Sequence, residues 1–275
     1  MKKLLAKSLF SFFLVAWAFP AGALELEGSF KQGGMVIGQT EPGGKIFLGE
    51  KEVLVSPGGK FVFGFGRDEK ENVVLMLISP TGTTEELTLT IKPQTYDIDR
   101  VDGLPEKTVT IPEEEKIRRQ KEQGMVREAR KPVSDFMDWA GGYLKPAKGR
   151  ITGVYGSQRI LNGQPRWPHY GLDIAGDTGT PVLAPAGGIV RLAERNFLLE
   201  GGIIIIDHGF GVNSTFLHLS EVKVKTGQRV EQGGEIGAIG MTGRATGPHL
   251  DWRINWGSVR LDPALVLEAF SKDGQ

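Results

Sequence analysis

The sequence contains no cysteine. That excludes disulfides, thiolate metal sites and lipid attachment through a cysteine, so the chain is not a lipoprotein. Neither sign of charge is in excess, with 33 basic and 33 acidic residues. This argues against a nucleic-acid partner held by a basic surface. Histidine is scarce. Any imidazole chemistry must draw on His169, His208, His218 and His249. Long apolar runs are missing after the first twenty residues, so no later stretch is apolar enough to span a membrane. What is plentiful is glycine, 39 residues in a chain of 275, which favours tight turns and short strands over long helices.

The chain opens with Lys2, Lys3 and Lys7, an apolar run over residues 9–19, Pro20, and the small residues Ala21-Gly22-Ala23. This is the pattern of a secretory signal peptide, residues 1–23, cleaved after Ala23. Its removal leaves thirty bases against 33 acids. The expected mature protein is periplasmic or secreted, with no transmembrane segment.

Residues 24–96 alternate β-rich runs with the turns Glu41-Pro42-Gly43-Gly44, Ser56-Pro57-Gly58-Gly59 and Ser79-Pro80-Thr81-Gly82. The spacing predicts a small β-sandwich-like module, a spacer or binding unit without catalytic residues. Residues 97–148 read as a connector. Within it, Glu113, Glu114 and Glu115 precede Lys116, Arg118, Arg119 and Lys121, which predicts an exposed charged helix with Glu114–Arg118 and Glu115–Arg119 pairs. Residues 149–270 return to strands and turns and predict a compact antiparallel β domain. The fold class expected is mainly β.

Three clusters in this last domain carry chemistry. His169 and Asp173, four residues apart, share a face on an extended segment, and imidazole with carboxylate is a zinc-type pair. His218 lies in Phe216-Leu217-His218-Leu219, where a lone histidine is more often packed than functional. In Thr246-Gly247-Pro248-His249-Leu250-Asp251-Trp252-Arg253-Ile254, alternation puts His249, Asp251 and Arg253 on one strand face and Leu250, Trp252 and Ile254 on the other, core-facing side.

With Val154-Tyr155-Gly156-Ser157-Gln158-Arg159, Gly179-Thr180-Pro181-Val182, Asp207-His208-Gly209, Gly227-x-x-Val230 and Gly240-x-Thr242-Gly243, these clusters run in an order that resembles the lysostaphin-type (LytM-like) zinc peptidases, which are peptidoglycan endopeptidases. The resemblance covers roughly residues 150–263. It implies a LytM-type peptidase domain that holds Zn²⁺ through His169, Asp173 and the position of Asp251, with His218 and His249 as catalytic groups and peptidoglycan peptides as substrate. It gives His208 no role. The family's third ligand is the second histidine of an H-x-H pair, and here that position is Asp251. A second carboxylate cancels more of a metal's charge. Arg253 either balances Asp251 beside the metal or, as an Arg253–Asp251 pair, replaces it. The second case implies a metal-deficient regulator that binds and activates another cell-wall hydrolase. A wall-binding adhesin led by the β module is the third reading, and it leaves the histidines unexplained. Arg166 and Trp167, just before the first ligand, are candidate substrate contacts on a cleft-rim loop.

Overall fold

A computed structural model describes residues 24–102 and 113–271. The leader expected at residues 1–23 lies outside them. The first module contains β1 (Glu25–Gly28), β2 (Met35–Gln39), β3 (Lys45–Leu48), β4 (Lys51–Val53), β5 (Lys60–Gly64), β6 (Asn72–Ile78) and β7 (Thr84–Thr90). They form two antiparallel sheets, ordered β1-β2-β5 and β4-β3-β6-β7. All three expected turns close with a backbone hydrogen bond: Gly44 to Glu41 at 3.1 Å, Gly59 to Ser56 at 2.9 Å and Gly82 to Ser79 at 2.9 Å. Phe61, Phe63 and Phe65 are fully buried, with Phe63 and Phe65 edge to face at 5.6 Å.

The segment after this module is more structured than a connector. Strand β8 (Ile98–Val101) runs parallel to β10 (Gln158–Leu161), and β11 (Gln164–Pro165) closes that small sheet. Helix α1 (Glu113–Ala129) forms where the charge pattern predicts it. Its contacts differ from the expected ones. Arg118 pairs with Glu122 at 2.8 Å and Arg119 with Glu200 at 2.7 Å, in place of Glu114 and Glu115. Exposed i,i+4 pairs stabilise a helix by only tenths of a kcal/mol, so the half-buried Glu200 in the β14–β15 turn and the buried Glu122 one turn along the helix win. The buried Glu122 carboxylate also accepts from Leu198 N at 3.0 and 3.1 Å. One face of α1 is thereby docked, and Ala129, Met125 and Val126 pack on the sheet below.

The remaining strands, in chain order, are β9 (Ile151–Gly153), β12 (Leu172–Ala175), β13 (Pro181–Leu183), β14 (Gly188–Phe197), β15 (Gly201–Gly209), β16 (Val212–Leu219), β17 (Glu221–Val222), β18 (Arg229–Val230), β19 (Glu235–Ala238), β20 (His249–Trp256) and β21 (Val259–Leu261). A large antiparallel sheet takes the order β18-β14-β15-β16-β20-β12-β9, with β21 on β20. A smaller sheet is ordered β13-β19-β17. Helix α2 (Pro263–Phe270) follows, with Pro263 in its first turn and Asp262 accepting from Ala264 N at 2.9 Å as its cap.

Both faces of the large sheet are apolar along β15. Ile204 and Ile206 face the main core, whereas Ile203 and Ile205 join Leu192, Phe197 and Leu217 beneath α1. Burial on both sides is why this strand is a run of four isoleucines and not an alternating one. The first module is fastened to this unit by Arg67 Nε donating to Gly156 O at 2.9 Å and by Asp262 N donating to Gly33 O at 2.8 Å. Lys51 adds a contact over the Trp256 ring, at 3.4 Å.

Candidate metal centre

The register of three strands assembles the site. Asp173 on β12 lies directly opposite Asp251 on β20, and Ala175 lies opposite His249. Residues directly opposite share a face. Leu250, Trp252 and Ile254 are fully buried on the other face, as their alternation predicts. His169 is not on a strand. It belongs to the segment that enters β12, and its backbone is held on both sides. His169 N donates to Ser157 O at 2.7 Å, and Gly156 N donates to His169 O at 2.8 Å. The pair comes together all the same: His169 Nε2 and Asp173 Oδ1 lie 3.2 Å apart.

One ligand atom from each of His169, Asp173 and Asp251 falls within 4.8 Å of the others. His169 Nε2 and Asp173 Oδ1 are both buried and neither is aligned for a hydrogen bond. The two atoms meet only each other, across 3.2 Å and without hydrogen-bond alignment, an arrangement that is costly unless something binds them. Two glycines keep the space open. A Cβ at Gly153 would lie 2.2 Å from an oxygen of Asp173, and one at Gly171 would lie 2.0 Å from an oxygen of Asp251. A histidine and two carboxylates form a competent donor set for zinc, and the residues fit the metal that the sequence implies.

Arg253 grips Asp251. Nε donates to Oδ1 at 2.9 Å and to Oδ2 at 3.1 Å, and Nη2 donates to Oδ2 at 2.5 Å. Burial pushes the Asp251 carboxyl up, but the Arg253 charge and hydrogen bonds outweigh it and hold the group below the usual carboxylate range. A carboxylate has about four lone-pair sites, so Asp251 retains capacity toward a cation. Burial lowers His169, and its two carboxylate neighbours more than reverse that, leaving its affinity for a proton raised. A site that attracts a proton in this way attracts a cation by the same field.

His218 and His249 stand beside the triad, their rings 4.8 Å apart. His218 reaches this place through a bulge. Between β15 and β16, Leu217 and His218 together oppose Ile203, and His218 takes φ +65°. Regular alternation would send it into the core. The bulge re-aims it, at a backbone cost of order 1–3 kcal/mol. Its Nδ1 lies 2.9 Å from Thr242 O, and Nδ1 of His249 lies 2.8 Å from Gly247 O. A carbonyl only accepts, so each Nδ1 carries the proton and each Nε2 is left with a lone pair. Burial lowers the His218 pKa, more than the Thr242 carbonyl and Asp251 raise it.

Other candidates fall elsewhere. Trp167 is 89% exposed, and Arg166 accepts at its carbonyl from Gln158 Nε2 at 2.7 Å. Neither forms a hydrogen bond or ion pair with the triad among the described residues. His208 is fully buried in β15, its ring nitrogens 2.6 Å from Gly187 O and 2.8 Å from Ser214 Oγ. Three contributors escape sequence reasoning: Gly153, Gly171 and the carbonyl of Thr242. Gly171 and the Gly-x-Thr-Gly stretch were visible as motifs, but their tasks require the fold.

The description "Peptidase family M23" matches residues 167–263, a span that contains His169, Asp173, His218, His249 and Asp251. A solved Pseudomonas aeruginosa protein assigned to peptidase M23 is 30% identical, aligning 87% of this chain with 96% of that one at a TM-score of 0.65. The chain belongs to peptidase family M23. Curated relatives include the peptidoglycan DD-endopeptidase ShyA of Vibrio cholerae, 39% identical over 41% of this chain and 26% of that protein. The cell division protein DipM of Caulobacter vibrioides is 32% identical over 46% of this chain and 21% of its own length. The chain spans about a quarter of the length of these curated relatives. Among the described residues, no helix is long and apolar enough to cross a membrane.

Proposed function

We propose that this M23 chain is an exported zinc metallo-endopeptidase that hydrolyses peptide cross-links of bacterial peptidoglycan, with His169, Asp173 and Asp251 as ligands. The observation that carries this reading is the convergence of His169 Nε2 and Asp173 Oδ1, buried and 3.2 Å apart without hydrogen-bond alignment, with the carboxylate of Asp251. The substrate follows from the M23 relatives named as peptidoglycan endopeptidases. Export, to the periplasm or beyond, follows from the leader. Zinc, when bound, supplies Lewis-acid polarisation of the scissile carbonyl. The protein's own groups do the rest. His218, neutral because burial lowers its pKa, accepts a proton at Nε2 from the attacking water and returns it to the leaving amine. His249 presents a second imidazole edge to the same point and, when protonated, donates to the developing oxyanion. Arg253 offsets the charge of Asp251, so the ligand set with its arginine carries the net charge of one carboxylate.

Metal analysis of the purified mature protein, paired with digestion of isolated cell walls, tests the proposal. One zinc per chain and release of cleaved cross-link peptides are expected. Full zinc without any cleavage would remove the substrate assignment and leave the metal centre standing.

A second reading has one observation in its favour, the three contacts from Arg253 to both oxygens of Asp251. If that pair replaces the metal, the chain is a regulator that binds and activates another cell-wall hydrolase. It would then purify without zinc, remain metal-free after dialysis against zinc, and stimulate a partner hydrolase.

A further inference from the structure

Helix α1 and the large sheet flank a half-open cavity of about 290 Å³ next to the candidate metal centre. Five guanidinium groups line it. Arg119, Arg127 and Arg130 come from α1 and the residue after it, and Arg253 and Arg260 come from β20 and β21. One acid, Glu200, lines the same walls. The charge balance is uneven. Arg119 is paired with Glu200 and Arg253 with Asp251. Arg127, Arg130 and Arg260 have no carboxylate partner among the described residues. Arg260 donates instead to Asn255 Oδ1 at 3.0 Å, and Arg130 Nη2 to Thr215 Oγ1 at 2.8 Å. The Nε of Arg130 is buried and has no hydrogen-bond partner at all.

Three like charges without a carboxylate partner repel one another around this space, and burial strips hydration from Arg130 and Arg260 as well. Burial, together with Arg260 and Arg253, pulls the Arg130 pKa down to about 9, and Glu200 does not offset this. An arginine does not relieve such a field by giving up its proton at neutral pH. It relieves it by taking an anion. The space holds the equivalent of about ten water molecules at ~30 Å³ each, room for a small multiply charged group. Planar forks of N–H donors suit two-oxygen acceptors.

We infer that this cavity is a binding site for a multiply charged oxyanion of carboxylate or phosphate chemistry, seated between Arg127 and Arg130 on one side and Arg260 on the other. The inference stands apart from the metal-centre reading, because none of these three arginines belongs to the donor set. Two sources carry this chemistry, a peptide carboxylate and a phosphorylated molecule, and separate titrations distinguish them.

The test is calorimetric titration of the purified full chain with inorganic phosphate and, separately, with glutarate, at ionic strength held constant with sodium chloride. Saturable one-to-one binding of at least one probe is expected. Arg130→Gln should weaken it at least about tenfold, as loss of a charge-assisted contact does. Arg127→Gln, at an exposed helix position, should weaken it several-fold and carries the test if the first variant does not fold. Preference for phosphate points to a phosphorylated source, and preference for glutarate to a carboxylate source. No saturable binding of either probe, or binding that Arg127→Gln leaves unchanged, would overturn the assignment. The second result would also identify an anion held elsewhere, for example on a metal.

Discussion

Two histidines on one hairpin, β15–β16, occupy niches of opposite character. His208 is enclosed, and both ring nitrogens are committed, to the Gly187 carbonyl and the Ser214 hydroxyl. His218 is almost as deeply buried, yet only Nδ1 is committed, to the Thr242 carbonyl, and its backbone is held at φ +65°. Burial lowers the pKa of both. Depth and pKa direction therefore do not separate a structural histidine from a chemical one. What separates them is the unused nitrogen and the strained backbone that aims it.

The contrast can be broken at several points. The largest effect is expected at a third histidine, His169, whose Nε2 faces Asp173 Oδ1 at 3.2 Å. His169→Ala should abolish stoichiometric zinc and with it all activity; a variant that still carries one metal per chain would remove His169 from the donor set. Next comes His218→Ala, which should retain zinc and lose about 10²–10⁴-fold in rate on purified wall peptides, the usual effect of deleting a positioned proton-transfer group. Alanine leaves the φ +65° backbone strained and removes the imidazole contact to the Thr242 carbonyl, so about 1–3 kcal/mol of stability should be lost as well. Wild-type turnover would erase the difference between the two niches.

His208→Ala addresses the other side. It leaves two polar partners unpaired and opens a cavity, so about 3 kcal/mol of stability should go while the folded fraction keeps its zinc. The pH sign follows from the lowered pKa. The unfolded chain binds the proton more readily, so the stability from neutral His208 is complete above about pH 6.5 and is lost as pH falls below that value. A series of thermal midpoints from pH 8 to pH 5 should fall for the wild type, and less steeply for His208→Ala. The smallest effect is expected at Thr242. Its hydroxyl accepts from Gly202 N at 2.9 Å and donates to Leu219 O at 2.9 Å, which fixes the carbonyl that orients His218. Thr242→Ala should cost about 1 kcal/mol and only several-fold in rate. Thr242→Ser should restore both. Equal behaviour of the two variants would mean that the hydroxyl does not position His218.

Much of this was legible in the sequence because short-range rules govern it. Glycine turns fixed the strand ends of the first module, and period-two alternation placed His249, Asp251 and Arg253 opposite Leu250, Trp252 and Ile254. Asp173 and Asp251 were recognisable as residue types in ordered motifs. Their juxtaposition was not, since it depends on pairing β12 with β20. His218 looked like a core residue because alternation assumes a regular strand, and a bulge breaks that assumption. The charged face of α1 suggested solvent. Its true partners, Glu200 and the Leu198 amide, lie about eighty residues away, beyond the reach of any helical periodicity.

The sheet order carries a consequence for how the molecule comes together. Strand β20 is inserted between β16 and β12, so without it β12 and β9 have no bridge to the rest of the large sheet. His169 and Asp173 lie in the detached piece, and Asp251 rides on the inserted strand itself. A chain that has not yet threaded its last central strand has neither a continuous sheet nor a three-point grip on a cation. With the proposed ligand set, cation capture comes late, after long-range contacts have formed. A cation held by that set would join segments nearly eighty positions apart and would oppose unfolding by binding only the completed arrangement.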